Sequence, residues 1–148
     1  MTTKDGPVRI FVAEDNQADV WLIEEALKRQ LLDYRVDHYP TAAEAIAAVK
    51  KCGVGGSPVP QLLLLDYNLP GGQGLEILAA AAENRNLDGV PKAILSSFLK
   101  PDELRAAIEL GASCFIAKPA NLADFLRDVG TTVVDLLSNS RKTECGAS

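Results

Sequence analysis

Five positions combine reactive side chains with a shared local context. Glu14 and Asp15 follow the apolar run VRIFVA, Asp66 follows LLLL, Ser96 follows KAIL, and Lys118 follows a short run ending at Ala117. If these runs are strands of one parallel sheet, their C-terminal ends share an edge, and that edge is where open α/β sheets bind ligands. Three acids, a hydroxyl and an ammonium then meet in one pocket. Two unit charges ~4 Å apart interact by about 4 kcal/mol at an effective dielectric near 20. Without relief, one of the three acids raises its pKa and keeps its proton. A hard divalent cation supplies the relief: Mg²⁺ takes oxygen ligands, keeps several waters and bridges one or two carboxylates to a phosphate. Lys118 adds a positive point charge and Ser96 a hydrogen-bond donor. Such a pocket suits phosphoryl transfer, in which an aspartate acts as nucleophile and forms an acyl phosphate.

The elements that must position these residues are legible in the pattern. Val8 to Ala13 reads as a strand, and from Ala18 to Leu32 the residues Val20, Ile23, Leu27 and Leu31 recur at helical spacing. Tyr34 to Tyr39 alternates weakly, as a strand nearer a sheet edge does. Thr41 followed by Glu44 is a capping-box pattern that opens an alanine-rich helix to about Cys52. Residues 53–60 (GVGGSPVP) are loop chemistry. Leu62 to Leu65 is apolar on both faces, which predicts the centre of a parallel sheet. Tyr67 to Gly74 is a loop, Leu75 to about Glu83 a helix, Asn84 to Gly89 a polar connection and Lys92 to Leu95 a fourth strand. Pro101 suits the first turn of a helix that Gly111 ends. Ser113 to Ala117 is a fifth strand. A last helix runs from about Leu122 to Leu137, with Leu122, Phe125, Val129, Val133 and Leu136 on one face. The order is βα five times, which predicts a doubly wound α/β fold with a five-stranded parallel sheet. Residues 1–7 read as an N-terminal tail, 8–138 as one domain and 139–148 as a frayed C-terminal tail.

Bulk properties narrow the function. The 148 residues suffice for one core, and 47% hydrophobic with 24% charged residues is ordinary for a globular protein. A net charge of −5 argues against nucleic acid or an anionic membrane as partner. Cys52, Cys114 and Cys145 are far apart and form no CxxC pair, which speaks against a disulfide framework or a zinc site. The opening residues MTTKDGPVR hold no signal-peptide run, and no stretch reaches the ~18 apolar residues of a membrane span. The chain is expected to be cytoplasmic.

At these residues the chain resembles the response-regulator receiver family, the CheY-like fold, from about Val8 to Leu137. The matching pieces are Glu14-Asp15, LLLLD ending at Asp66, Pro70 and Gly74 beyond it, Ser96, and Lys118-Pro119, in order and at the family's intervals. The resemblance implies a flavodoxin-like strand order 2-1-3-4-5. It implies Asp66 as phosphoacceptor, and Mg²⁺ held by Asp15, Asp66 and the backbone carbonyl of Asn68, with Glu14 acting mainly through water. Ser96 would turn toward the phosphoryl group, Lys118 would pair with it, and Phe115 would serve as the switch aromatic. The readout surface would be Pro101 to Leu110, Ser113 to Ala117 and the last helix, and the Lys118-Pro119 bond would be cis. The implied partners are a sensor histidine kinase and a downstream protein. Apart from slow self-phosphorylation from small donors and self-dephosphorylation, no enzymatic turnover is implied. The stretch EDNQADVWLIEEAL and the loop DYNLPGGQG further resemble single-domain regulators paired with bacterial phytochromes and hybrid kinases, some of which form homodimers through the readout face.

Glu14 in place of the commoner Asp, Ser96 in place of Thr and Phe115 without a hydroxyl are departures, and Phe98 places a bulky ring two residues after Ser96. Taken singly, each site residue also has an ordinary reading. Glu14 and Asp15 can cap the first helix, Ser96 can be a loop hydroxyl and Lys118 a surface lysine; Trp21 reads as packing, and His38 receives no role. Phosphatases of the haloacid dehalogenase type share a nucleophilic Asp but need a second Asp where Asn68 stands. A receiver-shaped binding module that is never phosphorylated is the other alternative.

Overall fold

The structure is a computed structural model that describes the backbone of residues 6–144 and the side chains of residues 6–138. Strand β1, Val8–Ala13, leads through Glu14 and Asp15 into helix α1, Gln17–Arg29. Asn16 caps α1: its side chain accepts from the amides of Ala18 at 2.9 Å and Asp19 at 3.3 Å. Capping is therefore not the task of Glu14 or Asp15. The helix stops at Arg29, short of the expected Leu32, because Leu31 takes a left-handed φ of 57°. The amides of Leu32 and Leu31 then bond back to the carbonyls of Leu27 and Lys28, the Schellman ending with leucine where glycine is usual. Leu31 accordingly leaves the apolar stripe and is 81% exposed.

Strand β2, Tyr34–Tyr39, is followed by helix α2, Ala42–Lys51, whose N-cap Thr41 accepts from the Glu44 amide at 3.2 Å as the capping pattern predicts. Strand β3, Leu62–Asp66, is buried throughout. The loop after it carries a small antiparallel pairing of Asn68–Leu69 with Gly72–Gln73 before helix α3, Gly74–Ala82. Strand β4, Lys92–Ser96, helix α4, Pro101–Glu109, strand β5, Cys114–Ala117, and helix α5, Leu122–Glu144, complete the chain.

The sheet is parallel with order β2-β1-β3-β4-β5, the expected α/β topology. Alternation along the strands feeds two cores. Phe11, Ala13, Leu63, Leu65 and Ile94 face α2, α3 and α4. Ile10, Val12, Leu62, Leu64, Leu95 and Ile116 face α1 and α5. A strand apolar on both faces, such as β3, is covered on both. Among the described residues four polar or charged ones are buried. Glu14, Asp66 and Ser96 lie at the C-terminal edge of the sheet, while Lys92 lies at the other edge and donates to the Leu87 and Val90 carbonyls.

Three local expectations are corrected. Helix α5 continues past Leu137 to Glu144, so its last turns occupy part of the expected tail; residues 145–148, like 1–5, fall outside the described residues. Trp21 is 59% exposed, since its position falls between the buried Val20 and Ile23 and off the apolar stripe of α1. The Lys118–Pro119 bond is trans. The trans form is the one favoured, by about 0.5–1 kcal/mol, at X-Pro bonds.

Gly74 explains part of the loop spacing. A Cβ there would stand 2.7 Å from the Asp66 carbonyl oxygen and 3.3 Å from the Ile94 side chain, so only glycine lets α3 start directly against the end of β3. Gly74→Ala is therefore expected to destabilise the fold by about 1–3 kcal/mol, the cost of overpacking a close contact. Urea denaturation measures it, and a midpoint equal to that of the unmodified chain would remove the steric argument.

Candidate functional site

The strand ends assemble the acids as the sequence pattern predicts. Carboxylate oxygens of Glu14, Asp15 and Asp66 all lie within 4.8 Å of one another. Glu14 is fully buried, Asp66 is buried and Asp15 is exposed, so the cluster opens to solvent on one side. From the end of β5, Lys118 reaches across it. Its Nζ donates to Glu14 Oε1 at 2.8 Å, Asp19 Oδ2 at 2.9 Å and Asp66 Oδ2 at 3.2 Å. The other oxygens are held by backbone: Asp66 Oδ1 accepts from the Asn68 amide at 3.2 Å and Glu14 Oε2 from the Asn16 amide at 3.1 Å.

Asp19 is the acid that the sequence reading missed. It lies one helical turn after Asp15, in the first turn of α1, and that i,i+4 relation was the available signal. His38 was also passed over, and its ring nitrogen Nε2 lies 2.6 Å from the Glu14 carbonyl oxygen. Ser96 is at the site's edge, but its hydroxyl is turned to its own loop. It donates to the Phe98 carbonyl at 3.0 Å and accepts from the Phe98 amide at 3.3 Å. Phe115 is half-buried and packs against the core on the α3–α4 side, in register with Ile94. Asn68 is exposed in the small hairpin, next to the Asp66 carboxylate that its amide contacts.

The electrostatics follow from the crowding. Burial, then the nearby Asp66 carboxylate, push Glu14 up from 4.5 to about 7, against the opposing pull of Lys118. Burial also opposes the charge on Lys118, but its hydrogen bonds to Glu14 and Asp19 and the fields of Glu14 and Asp66 outweigh that and hold it above the usual lysine range. One ammonium thus faces four carboxylates, and one of those is partly protonated at neutral pH. An all-oxygen donor set with an excess of negative charge and an open side fits a hard divalent cation, and lacks the thiol or imidazole ligands that zinc prefers.

Comparison with known proteins agrees with this geometry. Residues 10–129 match the family model described as the response regulator receiver domain. The response regulator Rcp1 of Synechocystis is 34% identical over 124 residues, covering 83% of this chain and 84% of Rcp1. The crystal structure of the phosphorylated cyanobacterial phytochrome response regulator RcpA superposes with a TM-score of 0.81 at 32% identity, covering 90% of this chain and 96% of that one. A Mn²⁺-bound form of Rcp1 superposes with a TM-score of 0.75 at 33% identity, covering 84% and 91%. Among the described residues no helix is long and apolar enough to cross a membrane.

The raised pKa of Glu14 has a definite sign in stability. The folded state holds this proton more tightly than the unfolded chain, so the group's stabilising contribution is complete below pH 4.5 and is lost as pH rises through about 7. Glu14→Gln, which cannot ionise, is expected to melt higher than the unmodified chain at pH 8 in EDTA, by a few degrees, with the advantage shrinking toward pH 5. Calorimetric melting at both pH values checks this; an advantage that is constant or larger at pH 5 contradicts it.

Proposed function

Because the chain belongs to the response regulator receiver domain family, matched over residues 10–129, we propose that it is a phosphorylation-activated switch of a two-component system, loaded on Asp66 by a histidine kinase. The observation that carries this reading is the position of the Asp66 carboxylate, which lies within 4.8 Å of two further acids and 3.2 Å from the Lys118 ammonium. In the transfer, an Asp66 oxygen forms the new bond to phosphorus as the bond to the donor's imidazole nitrogen breaks, and the imidazole leaves with that electron pair. Mg²⁺, held by Asp15, Asp66 and the Asn68 carbonyl with Glu14 acting mainly through water, would offset the charge of the carboxylates and of the phosphoryl oxygens.

The chain's own groups do the rest. Lys118 exchanges an Asp66 oxygen for a phosphoryl oxygen and stays near Glu14 and Asp19. Ser96 gives up its bonds to Phe98 and turns inward, and Phe115 follows into the space that is vacated. The change is read on the face formed by α4, β5 and α5 of the unit spanning residues 8–138, either by a downstream protein or by a second copy in a homodimer. Rcp1 is the regulator most similar in sequence among those described above, and RcpA is named as a phytochrome response regulator, which supports a phytochrome-type or hybrid kinase as donor. The net charge of −5 argues against nucleic acid or an anionic membrane as the partner.

Incubation with acetyl phosphate and Mg²⁺ is expected to add one phosphoryl group to the intact mass, and Asp66→Asn to add none. Equal labelling of that variant, or no labelling of the unmodified chain, would sink the reading. Phe98 is 70% exposed beside Ser96, where its ring can screen the acyl phosphate from water. Loss of the phosphoryl group is expected to be several-fold faster in Phe98→Ala and Phe98→Glu; rates equal to the unmodified chain in both would assign the ring no screening role.

A further inference from the structure

We propose that His38 is a positioning residue for the acidic site, fixing from the edge strand the stretch of main chain that presents Glu14 and Asp15. The inference rests on the metal-dependent reading above and deepens it.

The β1–β2 ladder runs out where the site begins. Register pairs Val12 with His38 and Ala13 with Tyr39, and the Glu14 amide makes the last ladder bond, to the Tyr39 carbonyl at 3.1 Å. In a parallel ladder the Glu14 carbonyl would next accept from the amide of Thr41. Thr41 instead caps α2, and the chain has turned away at Pro40. The imidazole of His38 takes that place, with Nε2 at 2.6 Å from the Glu14 carbonyl oxygen. A carbonyl only accepts, so Nε2 carries the hydrogen. Every polar atom of Glu14 is then held. The amide is bound by β2, the carbonyl by His38, Oε1 by Lys118 and Oε2 by the Asn16 amide.

Position 38 makes no demand for a histidine on packing grounds. Its side chain is half-buried on the same sheet face as its register partner Val12 and as Val36, where an aliphatic side chain would suit the strand position. What the imidazole adds is a donor at the one main-chain oxygen that the ladder leaves over. Asp15 follows that oxygen directly, so a loose Glu14 carbonyl gives a loose Asp15. Groups that orient metal ligands from behind change metal affinity by about 10–100-fold when removed.

His38 is the sole histidine of the chain, so its ring nitrogens give one unambiguous signal. In ¹⁵N NMR of the unmodified chain, titration with Mg²⁺ alone is expected to shift the Nε2–H resonance with the same midpoint as the Asp15 and Asp66 amides. By calorimetric titration, His38→Val is expected to bind Mg²⁺ about tenfold more weakly while melting within a few degrees of the unmodified chain in EDTA. His38→Gln, whose amide nitrogen reaches the same carbonyl, is expected to recover most of the affinity. An Nε2–H signal that ignores Mg²⁺, unchanged affinity in His38→Val, or equal losses in the Val and Gln variants would each overturn the proposal while leaving the receiver reading intact. If the unmodified chain takes up neither Mg²⁺ nor a phosphoryl group, the receiver reading falls and this inference with it.

Discussion

An excess of negative charge at one end of the sheet is the constraint on which the rest of the molecule turns. Lys118 donates to three carboxylates, and a fourth, Asp15, stands beside them at the solvent face. A single ammonium cannot neutralise four acids, and burying a carboxylate without full compensation is costly. The fold tolerates the arrangement because Glu14 can take up a proton near neutral pH and because Asp15 is exposed to solvent. The side chains alone therefore leave the site with an excess of negative charge. Added positive charge is favoured there, and so is any chemistry that such charge makes possible.

Keeping that tension in place takes rigid support, and the two-sided core supplies it. The four leucines of β3 are packed from both faces, so Asp66 sits at the end of an element with almost no freedom to yield. Gly74 lets α3 start against the Asp66 carbonyl itself, and Asn16 takes over capping so that neither Glu14 nor Asp15 is spent on the helix. Each of these details frees or fixes a carboxylate. Together they leave the acids at the ends of β1 and β3 held in place and directed into the site.

The acids at the strand ends were legible in the sequence because a parallel sheet converts chain order into spatial order. Once five apolar runs are accepted as parallel strands, Glu14, Asp15, Asp66, Ser96 and Lys118 must share an edge, whatever lies between them. Asp19 and His38 were not legible in the same way. Asp19 reaches the site through the phase of α1, which depends on where Asn16 sets the helix start, and His38 through a side chain that replaces a missing ladder bond. Both are consequences of how elements end, and ends are where periodicity carries least information. The same holds for Leu31, whose left-handed backbone stops α1 early in a stretch whose apolar spacing continues. The trans bond before Pro119 is a further case: a family habit gave the opposite expectation, and nothing in the local sequence marks the isomer.

On the proposed reading, the position of Ser96 sets what phosphorylation of Asp66 has to supply. Its hydroxyl already donates to and accepts from the Phe98 backbone, and each such neutral bond contributes about 0.5–1.5 kcal/mol net. Both Asp66 oxygens are already engaged, by the Asn68 amide and by Lys118, so the hydroxyl stays with its loop, and turning toward Asp66 would exchange its bonds only once a further acceptor oxygen is added there. A phosphoryl oxygen is an ionised acceptor, and charge-assisted bonds are roughly twice as strong as neutral ones. The difference is then of the order of one neutral hydrogen bond, and about 1.4 kcal/mol changes a population tenfold. A switch built on such an exchange shifts a balance and does not lock one state. On the proposed reading its completeness depends on what else moves with Ser96, and Phe115, half-buried one strand away on β5 and in register with Ile94, would add its burial to the same side of the balance.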